Sequence, residues 1–196
     1  MIIGICGASG SGKSTLAREL LKRMRGTVAL IPQDAYYVDR PDLPFEERVR
    51  RNYDEPAAFD HDLLLNDVKK LAGGYSITRK GYDYTQHRRA DTTEVILPAD
   101  VLIIEGIHTF YDARLRDMMD LKIYMDVDAD VCLLRRFRRD INERGRDVNS
   151  VADQYLATVR PMYMKYIRGY SEYADLIVRG GGKNPAILKI LTGSPE

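Results

Sequence analysis

The stretch Gly7-Ala8-Ser9-Gly10-Ser11-Gly12-Lys13-Ser14 constrains this chain more than any other. It fits the pattern G-x-x-x-x-G-K-[ST] at every fixed position. Gly7, Gly10 and Gly12 permit φ > 0, so the backbone can curl its N–H groups inward. The apolar run Ile2-Ile3-Gly4-Ile5-Cys6 before the motif reads as a buried strand. After it, Leu16, Ala17, Leu20, Leu21 and Met24 fall on one face of a helix. N–H groups at a helix start attract phosphate oxygens, and the helix dipole adds to that attraction. Lys13 can reach the terminal phosphates of a nucleotide, and the Ser14 hydroxyl suits Mg²⁺. A Gly/Ser-rich linker matching by accident would lack the flanking strand and helix.

The rest of the composition sets bounds. At 196 residues the chain fits one domain, 1–196, with room for a small insertion. A net charge of +1 creates no global field for nucleic acid or a membrane surface, so neither is expected as a partner. Cys6 and Cys132 lie far apart in apolar or helical patterns. They read as free buried thiols in a reducing compartment. The N-terminus shows no basic-then-apolar leader, and no apolar run approaches a membrane span. A cytoplasmic location is the expectation.

Thr27 to Ile31 reads as a second strand, stopped by Pro32, which places Asp34 and Tyr37 just past its carboxyl end. That edge of an open α/β sheet is where ligands bind. Asp34 is either a turn-capping residue or part of that site. Residues 39–59 are polar with three prolines, a long loop with a short helix around Glu46 to Arg51. Asp60 caps a helix carrying Leu63, Leu64, Val68 and Leu71, which ends at Gly73-Gly74. Ser76 to Thr78 and Thr93 to Leu97 read as a small antiparallel ribbon. Between them, Tyr82 to Arg89 form either a solvated tip or a ligand-facing lobe.

Val101 to Ile104 form an apolar strand followed by Glu105-Gly106. An acid in that place, downstream of a phosphate loop, can hold Mg²⁺ through water; the other reading is a strand-end turn. Leu121 to Met125 form the next strand. Ala129 to Arg144 read as a helix, broken at Gly145. From Arg135 to Asp147 there are six arginines against three acids, a balance that suits phosphate oxygens better than a plain solvated face. Val151 to Ile167 read as one amphipathic helix that Pro161 must kink or divide. Leu176 to Val178 are a last strand, Gly180 to Gly182 a flexible turn, and Pro185 to Leu191 a closing helix. Continuous apolar strands alternating with helices define an α/β fold. The expectation is a five-stranded parallel sheet flanked by helices, with the ribbon inserted beside it.

These segments together resemble the uridine/cytidine kinase family of P-loop kinases. The resemblance covers nearly the whole chain. It rests on the loop Gly7 to Ser14, Gln33-Asp34 with Tyr37, Asn52-Tyr53-Asp54 with Phe59-Asp60, and Tyr82-Asp83-Tyr84 with His87 and Arg89. It also rests on Glu105-Gly106-Ile107, the run Arg139 to Asp147, and Gln154-Tyr155 with Pro161. The resemblance implies a P-loop NTPase fold with a nucleoside-binding insertion at about 39–97 and an Arg-rich lid at about 135–150. It implies transfer of the γ-phosphoryl of ATP or GTP to the 5′-hydroxyl of uridine or cytidine, with Mg²⁺. Residues 7–14 and Thr15 would bind the triphosphate, and Ser14 and Glu105 the metal. Lys13, Asp34, Arg139 and Arg144 would be catalytic, Asp34 as the base. Asp54 and Arg146 would hold the ribose, Tyr82 and His87 would read the pyrimidine, and Tyr37, Arg136 and Gln154 would complete the pocket. A homo-oligomer, often a tetramer, is implied as well.

The sequence departs from the family at four places. Tyr53 and Tyr84 stand where Phe is usual. Ile167-Arg168-Gly169-Tyr170 replaces an acidic-Pro segment, and Arg179 to Lys183 replaces a Pro-Arg-Gly turn beside the adenine site. Rival readings are a same-fold kinase for another small alcohol, such as phosphoribulose, pantothenate or nicotinamide riboside, and a non-catalytic nucleotide sensor. Tyr82 with His87 argues against the first, and Asp34 beside a complete loop against the second.

Overall fold

The computed structural model describes residues 1–193. In chain order the elements are β1 (Ile2–Gly7), α1 (Lys13–Arg23), β2 (Val28–Pro32), α2 (Phe45–Arg50), α3 (His61–Ala72), β3 (Ile77–Asp83), β4 (Arg88–Ile96), β5 (Val101–Gly106), α4 (Ala113–Arg116), β6 (Leu121–Asp126), α5 (Ala129–Arg144), α6 (Val148–Gln154), α7 (Arg160–Lys165), β7 (Leu176–Arg179) and α8 (Pro185–Thr192). Five strands form one sheet in the order β2-β5-β1-β6-β7, and every pairing is parallel. The expected sheet is therefore present, with β1 at its centre.

The continuous apolar runs have a simple cause. Successive residues of a strand point to opposite faces, and both faces here are covered. Ile3, Ile5, Val101, Ile103, Ile123 and Met125 face one core with Leu16 and Leu20 of α1 and Leu188 of α8. Ile2, Cys6, Ile31, Leu102, Ile104 and Tyr124 face the other, with Leu64, Val68 and Leu71 of α3. The strand register then sets the ligand edge. Glu105 pairs with Ile5 on one side and Pro32 on the other, so the ends of β1, β2 and β5 lie side by side.

Local chemistry explains the ends. Asp60 caps α3 by accepting from the Leu63 N–H at 2.9 Å. Gly145, at φ 64°, stops α5 as expected. Four expectations change. β3 and β4 extend well past the predicted ribbon strands and take in Tyr82, Asp83, Arg88 and Arg89. Most of the ribbon is not buried, so no apolar alternation marks its length. α4 has no counterpart among the predicted elements; it is a single turn capped by Asp112. The predicted helix from Val151 to Ile167 is divided: a π-helical turn at Tyr155–Val159 separates α6 from α7, which carries Pro161 at its start, and Ile167 lies in a 3₁₀ segment. The wider turn tolerates a proline that lacks an N–H donor. Finally, Gly180 to Gly182 is wedged against the phosphate loop. A Cβ at Gly182 would collide with the Gly12 carbonyl oxygen. Among the described residues no helix is long and apolar enough to cross a membrane.

Candidate active site

The loop between β1 and α1 takes the conformation its glycines allow. Gly7, Gly10 and Gly12 have φ of 146°, 84° and 97°. A Cβ on Gly10 would collide with the carbonyl oxygen of Cys132 on α5, so only glycine fits. Lys13 is buried and donates to the Ala8 carbonyl at 2.9 Å, which folds the loop around its ammonium. Burial lowers the Lys13 pKa, and Glu105 opposes that shift. The Ser14 hydroxyl donates to Glu105 Oε1 at 2.9 Å. Burial raises the Glu105 pKa, with Lys13 working the other way. A hydroxyl and a buried carboxylate in contact at the mouth of a phosphate loop form an oxygen donor set that fits Mg²⁺, which keeps waters and phosphate oxygens as its other ligands. Thr15 lines the same cleft.

Beyond the loop, Asp34 stands in the 3₁₀ turn that follows β2, where the phosphate cleft meets a second cavity. This second cavity encloses about 650 Å³, including its open mouth. Its wall is aromatic. Tyr37 stacks on Phe59 with centroids 4.4 Å apart and meets Tyr53 and Tyr82 at 5.3 and 4.7 Å. His87 lies 5.1 Å from the Tyr53 ring. It sits at the ribbon tip with φ 49°, in a turn where Asp83 accepts from the N–H groups of Thr85 and Gln86. The Tyr53 and Tyr82 hydroxyls are buried within this wall. The ribbon tip therefore belongs to the cavity and not to solvent alone.

The opposite wall is polar. Asp54 is buried, and burial raises its pKa while Arg136 opposes. Thr158, on the π-helical turn, donates to Asp54 Oδ2 at 3.0 Å. Arg136 donates to Ser9 of the phosphate loop at 3.0 Å and to Gln154 at 2.8 Å. Arg146 also donates to Gln154, and to Ser150 Oγ at 2.6 Å. The structure thus brings Tyr37, Asp54, Tyr82, His87, Arg136, Arg146 and Gln154 to one cavity, with Asp34, Arg139 and Arg144 at its junction with the phosphate cleft.

The arginine cluster differs from its expected form. The excess from Arg135 to Asp147 is partly neutralised, because Asp140 is fully buried and faces three of the arginines. Arg139 lies 2.8 Å from it, Arg144 3.3 Å and Arg136 3.4 Å. Burial works to raise the Asp140 pKa, but these arginines hold it below the usual carboxylate range. One carboxylate shared by three guanidiniums still leaves net positive charge facing the cleft, and it fixes where that charge points.

Three contributors escaped the sequence reading. His108 is wholly buried behind Asp54. Its Nε2 donates to the Asp54 carbonyl at 2.6 Å, and its Nδ1 accepts from the Tyr170 hydroxyl at 2.9 Å. A neutral ring with one proton can satisfy both partners only in this tautomer. Tyr170 belongs to the segment where the sequence departs from the family it resembles. Thr158 is the second, a threonine inside a helix that gave no separate signal. The third is not Tyr84 itself, whose extra hydroxyl the sequence marks, but its partner: the hydroxyl donates to Asp34 Oδ2 at 2.5 Å. The extra oxygen at position 84 thus meets the carboxylate, whereas that of Tyr53 stays inside the aromatic wall.

A phosphate-binding loop at the centre of a parallel sheet, joined through one carboxylate to a second, open-mouthed cavity, has the architecture of a P-loop phosphotransferase with a small-molecule acceptor. Residues 2–186 match the model of the phosphoribulokinase / uridine kinase family, and the chain belongs to that family. It is 49% identical over 192 residues to a uridine kinase of Staphylococcus haemolyticus, covering 97% of this chain and 93% of that protein. It is 46% identical to a uridine kinase of Leuconostoc citreum over 199 residues, covering 100% and 95%. Among solved structures, phosphoribulokinase from Rhodobacter spheroides superposes with a TM-score of 0.64 at 17% identity, covering 95% of this chain and 73% of that one. At that identity the likeness speaks for the fold.

Proposed function

We propose that this chain transfers the γ-phosphoryl group of a nucleoside triphosphate to the 5′-hydroxyl of uridine or cytidine. The observation that carries the reading is the junction at Asp34. One carboxylate lies between a triphosphate cleft and a cavity with an aromatic wall on one side and Asp54 with paired arginines on the other. Flat aromatic walls suit a pyrimidine. A buried carboxylate and guanidiniums suit the vicinal hydroxyls of a ribose. The names of the two curated relatives support the same acceptor.

In this reading Asp34 accepts the proton of the 5′-hydroxyl as its oxygen bonds to the γ-phosphorus. The transition state is loose and rich in negative charge, so positioning and charge supply most of the rate. Lys13 and the loop N–H groups hold the phosphates, while Arg139 and Arg144, oriented by Asp140, meet the charge on the transferred group. Residues 135–150 act as a lid that excludes water. Ser14 and Glu105 would hold Mg²⁺, which supplies charge neutralisation of the phosphate oxygens when bound. The base lies between Tyr53, Tyr82 and His87, with Tyr37 behind, and Asp54 and Arg146 take the ribose. Burial, and then the nearby Arg146 and Arg144, lower the His87 pKa, so it meets a pyrimidine as a neutral ring. ATP and GTP are both candidate donors, since the Gly180 to Gly182 turn replaces the family's usual residues there.

A cytoplasmic location and a homo-oligomer, a tetramer by resemblance, belong to the same reading. Tyr75, Val95 and Leu97 on and beside the ribbon are 70%, 62% and 66% exposed, an apolar surface available to a second copy. The test is a panel of acceptors with ATP and Mg²⁺. Uridine and cytidine should support release of nucleoside diphosphate; phosphoribulose, pantothenate and nicotinamide riboside should not. Turnover on one of the latter in preference to the pyrimidine nucleosides would refute the reading.

A further inference from the structure

Tyr84 belongs to two cavities at once. It lines the acceptor cavity with Tyr82 and the phosphate cleft with Lys13. Its hydroxyl donates to Asp34 Oδ2 at 2.5 Å. The Arg144 guanidinium lies over its ring, 3.8 Å from the centroid, and the Tyr82 ring meets it edge-on at 5.3 Å. Burial, and then the Asp34 carboxylate, push the Tyr84 phenol well above its ordinary range, so it remains a donor at working pH. A catalytic carboxylate has to receive the proton of the attacking hydroxyl. Here a hydroxyl of the protein itself is seated on that carboxylate.

We propose that Tyr84 sets the choice between acceptor and water at Asp34: its hydroxyl holds the carboxylate until an acceptor hydroxyl replaces it. The inference rests on the role given to Asp34 above. The side reaction it suppresses is plain. A water bound to Asp34 would give its proton to the carboxylate as its oxygen bonds to the γ-phosphorus. The bond from that phosphorus to the β,γ-bridging oxygen would break, leaving nucleoside diphosphate and inorganic phosphate. A phenol seated on the carboxylate denies water that position. The ring also ties this choice to the lid. An arriving acceptor swings the whole ring off Asp34 and so frees the Arg144 guanidinium for the phosphates, whereas removal of the hydroxyl alone leaves ring and guanidinium in place.

The test compares wild type with Tyr84→Phe, which keeps the ring and so keeps the contacts with Arg144 and Tyr82. Two rates are read: transfer to uridine, and hydrolysis of ATP without an acceptor. The variant should hydrolyse ATP about ten-fold faster, the scale of one lost hydrogen bond to a charged group. Its KM for uridine should fall, since no phenol has to be displaced; a merely structural role would raise KM and slow both reactions. The wild-type protein gives a second readout through 5′-deoxyuridine, which offers base and ribose but no 5′-hydroxyl. It should leave wild-type hydrolysis at its basal rate and stimulate that of the variant. Hydrolysis in the variant at or below the wild-type rate, or equal stimulation of both proteins by 5′-deoxyuridine, would overturn the inference while leaving the functional reading standing. Failure of wild type to phosphorylate uridine would overturn both.

Discussion

Lowering the pH from 7 to 5 should cost this protein about 2 kcal/mol of stability through one residue, His108. The ring is wholly buried and bonded on both nitrogens as a neutral species. Burial lowers its pKa from 6.5 to about 4, with the Asp54 carbonyl working the other way and His61 and Lys13 adding to the shift. Between those two values the unfolded chain binds a proton at this position that the folded chain refuses. Stability from His108 is therefore fully present above the unfolded value of 6.5 and is lost as the pH falls towards 4. The slope is at most about 1.4 kcal/mol per pH unit, and integration between pH 7 and pH 5 gives about 2 kcal/mol. For a chain of this size that corresponds to roughly 4–8 °C in Tm. The assay is urea unfolding at both pH values for wild type and for His108→Gln, whose amide can donate and accept but cannot titrate. The other histidines cancel in the comparison. The variant should lose about 2 kcal/mol less than wild type over this interval. Equal losses in the two proteins would refute the argument, because they would show that the buried ring takes up its proton as readily as an exposed one.

Two further outcomes follow from the polar walls of the site. Arg144→Ala should lower kcat at least about ten-fold while changing uridine KM less, because the charge it meets grows in the transition state; a change confined to KM would make it a substrate-binding residue. Wild type should prefer uridine over 2′-deoxyuridine by about 10- to 150-fold in kcat/KM, the value of one bond to a charged group, and Asp54→Ala should shrink that gap. A gap that survives in the variant would remove Asp54 from the sugar.

The elements that were legible in the sequence are those whose physics is local. The phosphate loop needs glycines at fixed spacing, and Gly7, Gly10 and Gly12 adopt the positive φ that the pattern implied. Strands buried on both faces must be apolar throughout, so the five strands of the main sheet could be located from Ile2 to Val178. The exposed ribbon lacked such a signal, and its strands are longer than the sequence suggested. Arg135 to Asp147 looked like an arginine excess because sequence counts charges without weighing burial. In the fold, Asp140 is drawn inside and orients three of them. His108 and Thr158 were hidden for a related reason. Each acts on Asp54 across separations of 54 and 104 residues, contacts that only the packed fold creates.

In the proposed function, Asp34 joins a triphosphate site to a nucleoside site for phosphoryl transfer. The most direct test is the stoichiometry of products from uridine, ATP and Mg²⁺ with wild type and Asp34→Asn. Wild type should form UMP and ADP in equal amounts, and the variant should turn over at least about 10²-fold more slowly with nucleotide binding retained. ADP formed without UMP, or near-normal turnover by Asp34→Asn, would contradict this role.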